Sequence, residues 1–301
     1  STGQMLKASP RLTQEAVPFN MEADSLNACI LGEDAVPGTE EFDLFIKEVQ
    51  REMTVKAGQK CTAVRRIIVP KKLVEDVQIA LGQRLAKTTI GDPAVEGVRM
   101  GSLAGQEQVT EVKEKVEQLA KSQEIVFGDL ESFEVTGADK TKGAFMSPIL
   151  FINDDPFNKT DCHNVEAFGP VSTIMPYKDI NEAIELAKMG KGSLVCSIVT
   201  NDDKIATEFV MGAACFHGRI LVLNRACAKE STGHGSPMPL MTHGGPGRAG
   251  GGEEMGGKRG ILHYLQRTAI QGSPTMLTKI TQQYQYGADQ YEDDKHVFQK
   301  Y

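Results

Sequence analysis

From residue 40 onward, stretches of helical period alternate with short β-branched runs, and this alternation constrains the fold more than any other feature of the chain. In residues 40–57, Phe42, Phe45, Ile46, Val49 and Met53 recur at helical spacing. Pro37-Gly38-Thr39 precedes them, Glu40, Glu41 and Asp43 suit a helix N-terminus, and Gly58 breaks the pattern. Residues 65–69 are a β-branched run closed by Pro70, which predicts a strand. Residues 71–87 and 107–121 read as amphipathic helices, and 148–152 and 171–177 as strands. A helix over 182–189, a strand over 194–200, a helix over 204–214 and a strand over 220–223 follow. Alternation of this kind predicts an α/β domain with a largely parallel sheet flanked by helices. Residues 232–257 then turn to Gly, Pro and His, too long a stretch for an ordinary connection. A last short helix is expected over 260–268, and the polar, Tyr-rich residues 282–301 read as a tail or linker. No internal repeat is visible.

A chain of 301 residues with 40% hydrophobic and 24% charged residues can bury a full core without staples. Its net charge of −7 argues against nucleic acid or an anionic membrane as a general partner, while leaving room for a local basic pocket. No apolar run is long enough to span a bilayer, and no signal peptide opens the chain. Cys29, Cys61, Cys162, Cys196, Cys215 and Cys227 are widely spaced without a C-x-x-C pair, which reads as reduced thiols and a cytoplasmic setting. The glycosylation pattern at Asn158 would be idle there. The start at Ser1, without an initiator Met, suggests a processed or truncated chain.

Lys56-Ala57-Gly58-Gln59-Lys60-Cys61-Thr62-Ala63 puts a cysteine in the turn between a helix and a strand. Gly58 lets the backbone bend, and Lys60 beside the thiol would favour the thiolate. The competing reading is a small buried core residue, the usual state of a free cysteine. Position alone does not choose between them.

The string G-Q-K-C-T resembles the nucleophile motif G-Q-x-C of aldehyde dehydrogenases. Upstream, Phe19-Asn20-Met21-Glu22-Ala23-Asp24 resembles that superfamily's general-base segment L-E-L-G-G-K, with Glu22 at the base position and Ala23-Asp24 in place of Gly-Gly. Downstream, Glu166-Ala167-Phe168-Gly169-Pro170-Val171 resembles its E-x-F-G-P-V motif. Without the resemblance, Glu22 and Glu166 read as solvated carboxylates and Phe168 as core packing. Residues 17–27, 243–254, 263–268 and 271–274 narrow the likeness to the dehydrogenase part of the bifunctional ring-opening proteins of bacterial phenylacetate degradation. In that family a hydratase-like domain opens an oxepin-CoA ring and the dehydrogenase oxidises the resulting semialdehyde-CoA.

The resemblance implies an aldehyde dehydrogenase-like catalytic domain in which Cys61 attacks the aldehyde and Glu22 activates the water that hydrolyses the thioester. The backbone N–H of Cys61 is the local oxyanion donor. Glu166 and Phe168 would bind the nicotinamide half of NADP or NAD. It further implies residues 1–24 as a stub of the nucleotide-binding domain, 25–245 as the catalytic domain, 246–281 as its closing segment and 282–301 as a linker toward a hydratase-like domain. On that reading the isolated chain binds no cofactor tightly and does not turn over aldehyde alone. The substrate is a CoA-linked aldehyde, a homo-oligomer is expected, and no metal, nucleic acid or membrane takes part.

Three alternatives stand beside it: a CoA-semialdehyde dehydrogenase of benzoate catabolism, a Cys–His thiol hydrolase pairing Cys61 with His243, and a non-catalytic assembly module. Gly245-Pro246-Gly247-Arg248-Ala249-Gly250 matches G-x-G-x-x-G but lacks the strand–turn–helix context of a dinucleotide fingerprint. Gly252 to Lys258 approaches a P-loop, yet Arg259 stands where Ser or Thr is needed. His234 and His243 lack zinc-ligand spacing. Cys29, Cys196, Cys215 and Cys227 are expected in the core and Cys162 at the surface. Arg65-Arg66 with Lys71-Lys72 reads as a solvated face that could meet CoA phosphates.

Overall fold

A computed structural model describes residues 2–238, 241 and 243–289; part of the expected linker, residues 290–301, lies outside the described residues. The elements in chain order are α1 (Thr2–Lys7), α2 (Pro10–Gln14), β1 (Asn27–Leu31), α3 (Glu40–Thr54), β2 (Val64–Pro70), α4 (Val74–Leu85) and α5 (Gln106–Leu119). They continue with β3 (Glu124–Phe127), β4 (Ile149–Ile152), β5 (Val171–Tyr177), α6 (Ile180–Lys188), β6 (Cys196–Val199), α7 (Asp203–Ala213) and β7 (Ile220–Leu223). The strands form one sheet in the order β3-β4-β5-β2-β1-β6-β7. All pairs are parallel except β3 with β4.

Helix α3 forms where its apolar period predicts. The Thr39 side chain accepts a hydrogen bond from the Phe42 N–H at 3.2 Å, capping the first turn, and Glu40, Glu41 and Asp43 complement the helix dipole. Phe45, Val49 and Met53 are fully buried, together with Val77 and Leu81 of α4 and Cys29, Leu31, Ile67 and Val69 of the sheet. Each large side chain so buried contributes about 2–3 kcal/mol. The opposite face is covered by α6 and α7, whose Ala183, Leu186, Ala187 and Phe209 pack on Ala28, Ile30, Ile68 and Ile198. Helix α5 covers β4 and the start of β5 through Val112 and Val116.

The sheet grows outward in both directions from β1. Since β1, β2 and β5 are adjacent and parallel, the chain segments entering these three strands meet at one edge of the sheet.

Several expectations need correction. Cys162 is buried, Cys215 is exposed and Cys227 is half-buried. Arg65 and Arg66 are not a solvated face: they are 5% and 0% exposed, on the innermost strand pairs. Arg66 donates to the carbonyls of Leu26, Leu186 and Ala187 at 2.8, 2.7 and 3.0 Å. A guanidinium so placed offsets its desolvation by binding backbone carbonyls, two of them in the last turn of α6, rather than a phosphate. The helix expected from residue 71 begins at Val74, after a single turn over Lys71–Leu73.

The chain divides into two compact units, residues 1–256 and 257–301. The second holds α8 (Gly257–Tyr264) and α9 (Pro274–Thr281). Helix α9 is capped by Ser273, whose hydroxyl accepts from the Met276 N–H at 3.4 Å. Among the described residues no helix is long and apolar enough to cross a membrane.

Candidate active site

Each of the three motif segments enters one of three neighbouring strands. Glu22 precedes β1, Cys61 precedes β2, and Glu166 and Phe168 precede β5. Parallel pairing therefore brings together residues far apart in the chain. The Cys61 sulfur, a Glu22 carboxylate oxygen and a ring nitrogen of His243 all lie within 4.8 Å of one another.

The loop bearing Cys61 is held by an unusual backbone. Lys56, Ala57 and Gly58 are successive left-handed residues, with φ of 54°, 51° and 68°. A Cβ on Gly58 would stand 2.3 Å from the Gly169 carbonyl oxygen, so glycine is required both by conformation and by close approach. Buried Arg65 bridges the same two loops. Its guanidinium donates to the carbonyls of Gly58 and Gly169 and stands 5.5 Å from the Phe168 ring centre. Gln59 adds a third tie: its Nε2 donates to Gln108 at 2.9 Å and to the Phe168 carbonyl at 3.3 Å, and its Oε1 accepts from the Ala104 N–H at 2.7 Å. On the other side, buried Asn27 donates to the carbonyls of Cys61 and Ala63 at 2.8 and 3.0 Å.

Lys60 does not favour the thiolate. Its ammonium binds the Glu52 carboxylate of α3 at 2.9 and 3.0 Å. Burial pushes the Cys61 thiol up to about 12, and the negative charge of Glu22 adds to the shift; the Thr62 backbone N–H opposes it. Cys61 therefore rests as a neutral, half-buried thiol beside an exposed carboxylate.

The segment around Glu22 is clamped by the glycine-rich loop. Arg248 binds Asp24 in a bidentate pair, both bonds 2.7 Å, and donates to the carbonyls of His163 and Asn164 at 2.8 and 3.1 Å. The Ala23 N–H donates to the Ala249 carbonyl at 3.2 Å, and the Asn20 amide to the Glu253 carbonyl at 2.8 Å. Gly250, at φ 112°, passes so close that a Cβ would stand 2.1 Å from the Met21 carbonyl oxygen. The Ala23-Asp24 departure and the loop H-G-G-P-G-R-A-G-G-G-E-E are thus two halves of one contact. The G-x-G-x-x-G match inside that loop serves packing.

The structure separates the two loop histidines. His234 is fully buried; its Nδ1 meets Ser197 Oγ at 2.5 Å, and burial pushes its pKa down to about 3. His243 faces Cys61, with Nε2 at 3.3 Å from Glu254 and its buried Nδ1 without a hydrogen-bond partner among the described residues. Sequence spacing gave no signal for this approach beyond the pairing of Cys61 with His243 as an alternative.

Glu166 and Phe168 are half-buried. Burial raises the Glu166 pKa while Arg65 opposes the shift. Its Oε1 accepts from the Ser25 N–H at 3.4 Å, and no donor among the described residues reaches Oε2. A carboxylate with a free oxygen beside an aromatic ring fits the ribose and ring of a nicotinamide nucleotide.

The chain is 43% identical over 245 residues to the 3,4-dehydroadipyl-CoA semialdehyde dehydrogenase of Aromatoleum evansii, covering 81% of this chain and 48% of that protein. It is 49% identical over 203 residues to Protein MaoC of Klebsiella aerogenes, covering 67% of this chain and 59% of that protein. It thus spans about half the length of the curated relatives it matches. Its fold is shared with a Staphylococcus aureus betaine aldehyde dehydrogenase solved in complex with NAD+, at TM-score 0.74 and 22% identity, covering 87% of this chain and 48% of that one. The sequence matches the aldehyde dehydrogenase family over residues 1–270, and the chain belongs to that family.

Proposed function

We propose that this chain carries the nucleophile and the general base for oxidising a CoA-linked semialdehyde to its acid, in the breakdown of an aromatic compound. One observation carries the reading: Cys61 and Glu22 converge at the sheet edge that also presents Glu166 and Phe168. The likeness to a CoA-semialdehyde dehydrogenase supports the substrate class.

In this mechanism the Cys61 thiol gives its proton to solvent and the sulfur attacks the aldehyde carbon. A neutral resting thiol keeps the nucleophile quiescent until substrate approaches. The adduct's oxyanion is held by a backbone N–H of the Cys61 loop, whose shape Arg65 and Asn27 maintain. Glu166 and Phe168 would hold the nicotinamide half of NAD or NADP, which supplies the acceptor for the hydride lost from the adduct carbon. The resulting thioester carbonyl is then attacked by water, with Glu22 taking its proton. The acid leaves, and the proton returns to the Cys61 sulfur. The test is reduction of NADP and of NAD by the protein carrying this chain, supplied with a CoA-linked semialdehyde. Turnover that survives Cys61→Ala would overturn the assignment.

The position of His243 favours one second reading, a Cys–His thiol hydrolase. Ester hydrolysis lost in His243→Ala and kept in Glu22→Gln supports the hydrolase; the reverse pattern supports the dehydrogenase.

A further inference from the structure

A second site lies behind the nucleophile loop. A cavity of about 570 Å³ is lined by four cations, Arg51, Arg84, Lys87 and Arg99, with Gln50 and Thr88 among the neutral groups and no carboxylate among the described residues of its wall. All four cations are exposed, and none forms an ion pair with another described residue. This is a concentrated positive field on a chain whose net charge is −7.

The fold explains the gathering. Helix α3 leads back from β1 to the edge where β2 begins, so Arg51 in its last turn comes to the edge that holds Cys61. Helix α4 follows β2 and runs back the same way, returning Arg84 and Lys87 to that edge. The Arg99 N–H donates to the Thr89 carbonyl at 2.9 Å, which sets Arg99 beside Thr88. Cations in the last turns of α3 and α4 also complement the helix dipoles. That accounts for Arg51 and Arg84 but not for Lys87 and Arg99, which lie beyond the helices.

We propose that this cavity receives the phosphorylated nucleotide end of a CoA-linked substrate. The proposal rests on the function given above and names how that substrate is recognised. Arginine guanidinia suit phosphate oxygens through paired N–H donors, and three of the four cations are arginine. The long pantetheine arm lets the nucleotide bind apart from the reacting carbonyl, so remote binding energy positions the aldehyde at Cys61. The Arg65-Arg66 pair singled out in the sequence cannot serve, because both guanidinia are buried on backbone carbonyls.

The experiment is a calorimetric titration of this chain with three probes: the adenosine bisphosphate that ends coenzyme A, its NADP-type isomer, and inorganic pyrophosphate. The CoA-type bisphosphate is expected to bind most tightly, to weaken with added salt, and to lose tenfold or more in affinity in the Arg84→Ala/Arg99→Ala double variant. Both substitutions are at exposed positions, and an unchanged thermal melt verifies folding. No binding, or binding unchanged in the variant, overturns the site. A preference for the NADP-type isomer, or equal affinity for pyrophosphate, overturns the CoA assignment. The dehydrogenase reading is scored separately by the dependence of oxidation on Cys61, so either can fail while the other stands.

Discussion

Cys61 is neutral at rest because burial and the Glu22 charge both oppose the thiolate. Replacing Glu22 by Gln removes one of these causes, so the thiol pKa falls and the thiolate fraction at a fixed mildly alkaline pH rises. Iodoacetamide should therefore label Cys61 faster in Glu22→Gln, read by mass spectrometry of the modified peptide. The same variant should lose roughly a hundredfold or more in thioester hydrolysis, because the water then lacks its base. Slower labelling would mean that Glu22 promotes the thiolate, contrary to the arrangement described. Asp24 and Arg248 act one step further out. Their pair is partly exposed, with side chains 38% and 18% accessible, so screening reduces its worth, but Arg248 also binds two carbonyls. Arg248→Ala should cost about 1–3 kcal/mol in urea unfolding and loosen the Glu22 segment.

At the scale of elements, the turn between α3 and β2 is the most demanding local structure. Gly58→Ala puts a Cβ 2.3 Å from the Gly169 oxygen at a φ of 68°, and should cost about 2 kcal/mol or more, seen as a lower melting temperature. A wild-type melt would show that the loop can move away from β5. This turn was legible in the sequence, because a glycine ending an apolar helix before a β-branched run has few other uses. Strand β1 was not legible. Asn27–Leu31 is buried on both faces, so its apolar residues run on without the alternation that marks a half-exposed strand. Strand β3 escaped for the opposite reason: it is a short, partly exposed edge strand paired antiparallel to β4. The burial of Arg65 was hidden because a charged residue is placed inside only by partners, here the carbonyls of Gly58 and Gly169, which no local pattern announces. The site residues Cys61, Glu22, Glu166 and Phe168 were read from motifs. Their meeting at one edge follows from the parallel order of β1, β2 and β5, which sequence alone does not fix.

The whole molecule carries a set of buried histidines that ties its stability to pH. His163, His217 and His234 are 1%, 7% and 0% exposed, and burial, aided by nearby cations, holds each pKa down to about 3. In the unfolded chain each titrates near 6.5. Above about pH 6.5 both states are neutral and nothing is lost. Below it the unfolded chain takes up protons that the folded protein refuses, so stability falls until the pH passes the folded value. Each histidine contributes a slope of about 1.4 kcal/mol per pH unit once well below its unfolded pKa. Glu52 and Glu166 work the other way, since burial raises their pKa values and the folded protein binds their protons first. That compensation ends once the unfolded carboxylates are also protonated, near pH 4.3. The steepest loss should therefore fall between about pH 4.3 and pH 3, where the three histidines act unopposed by these two carboxylates at roughly 4 kcal/mol per unit. His217 meets Ser193 Oγ at 2.8 Å, a bond that a glutamine can replace. His217→Gln should lower the slope of unfolding free energy against pH in that window by about 1.4 kcal/mol per unit, measured by urea titrations across the range. A slope that does not change would mean that His217 binds its proton equally in both states, and that its burial is not what makes the fold sensitive to acid.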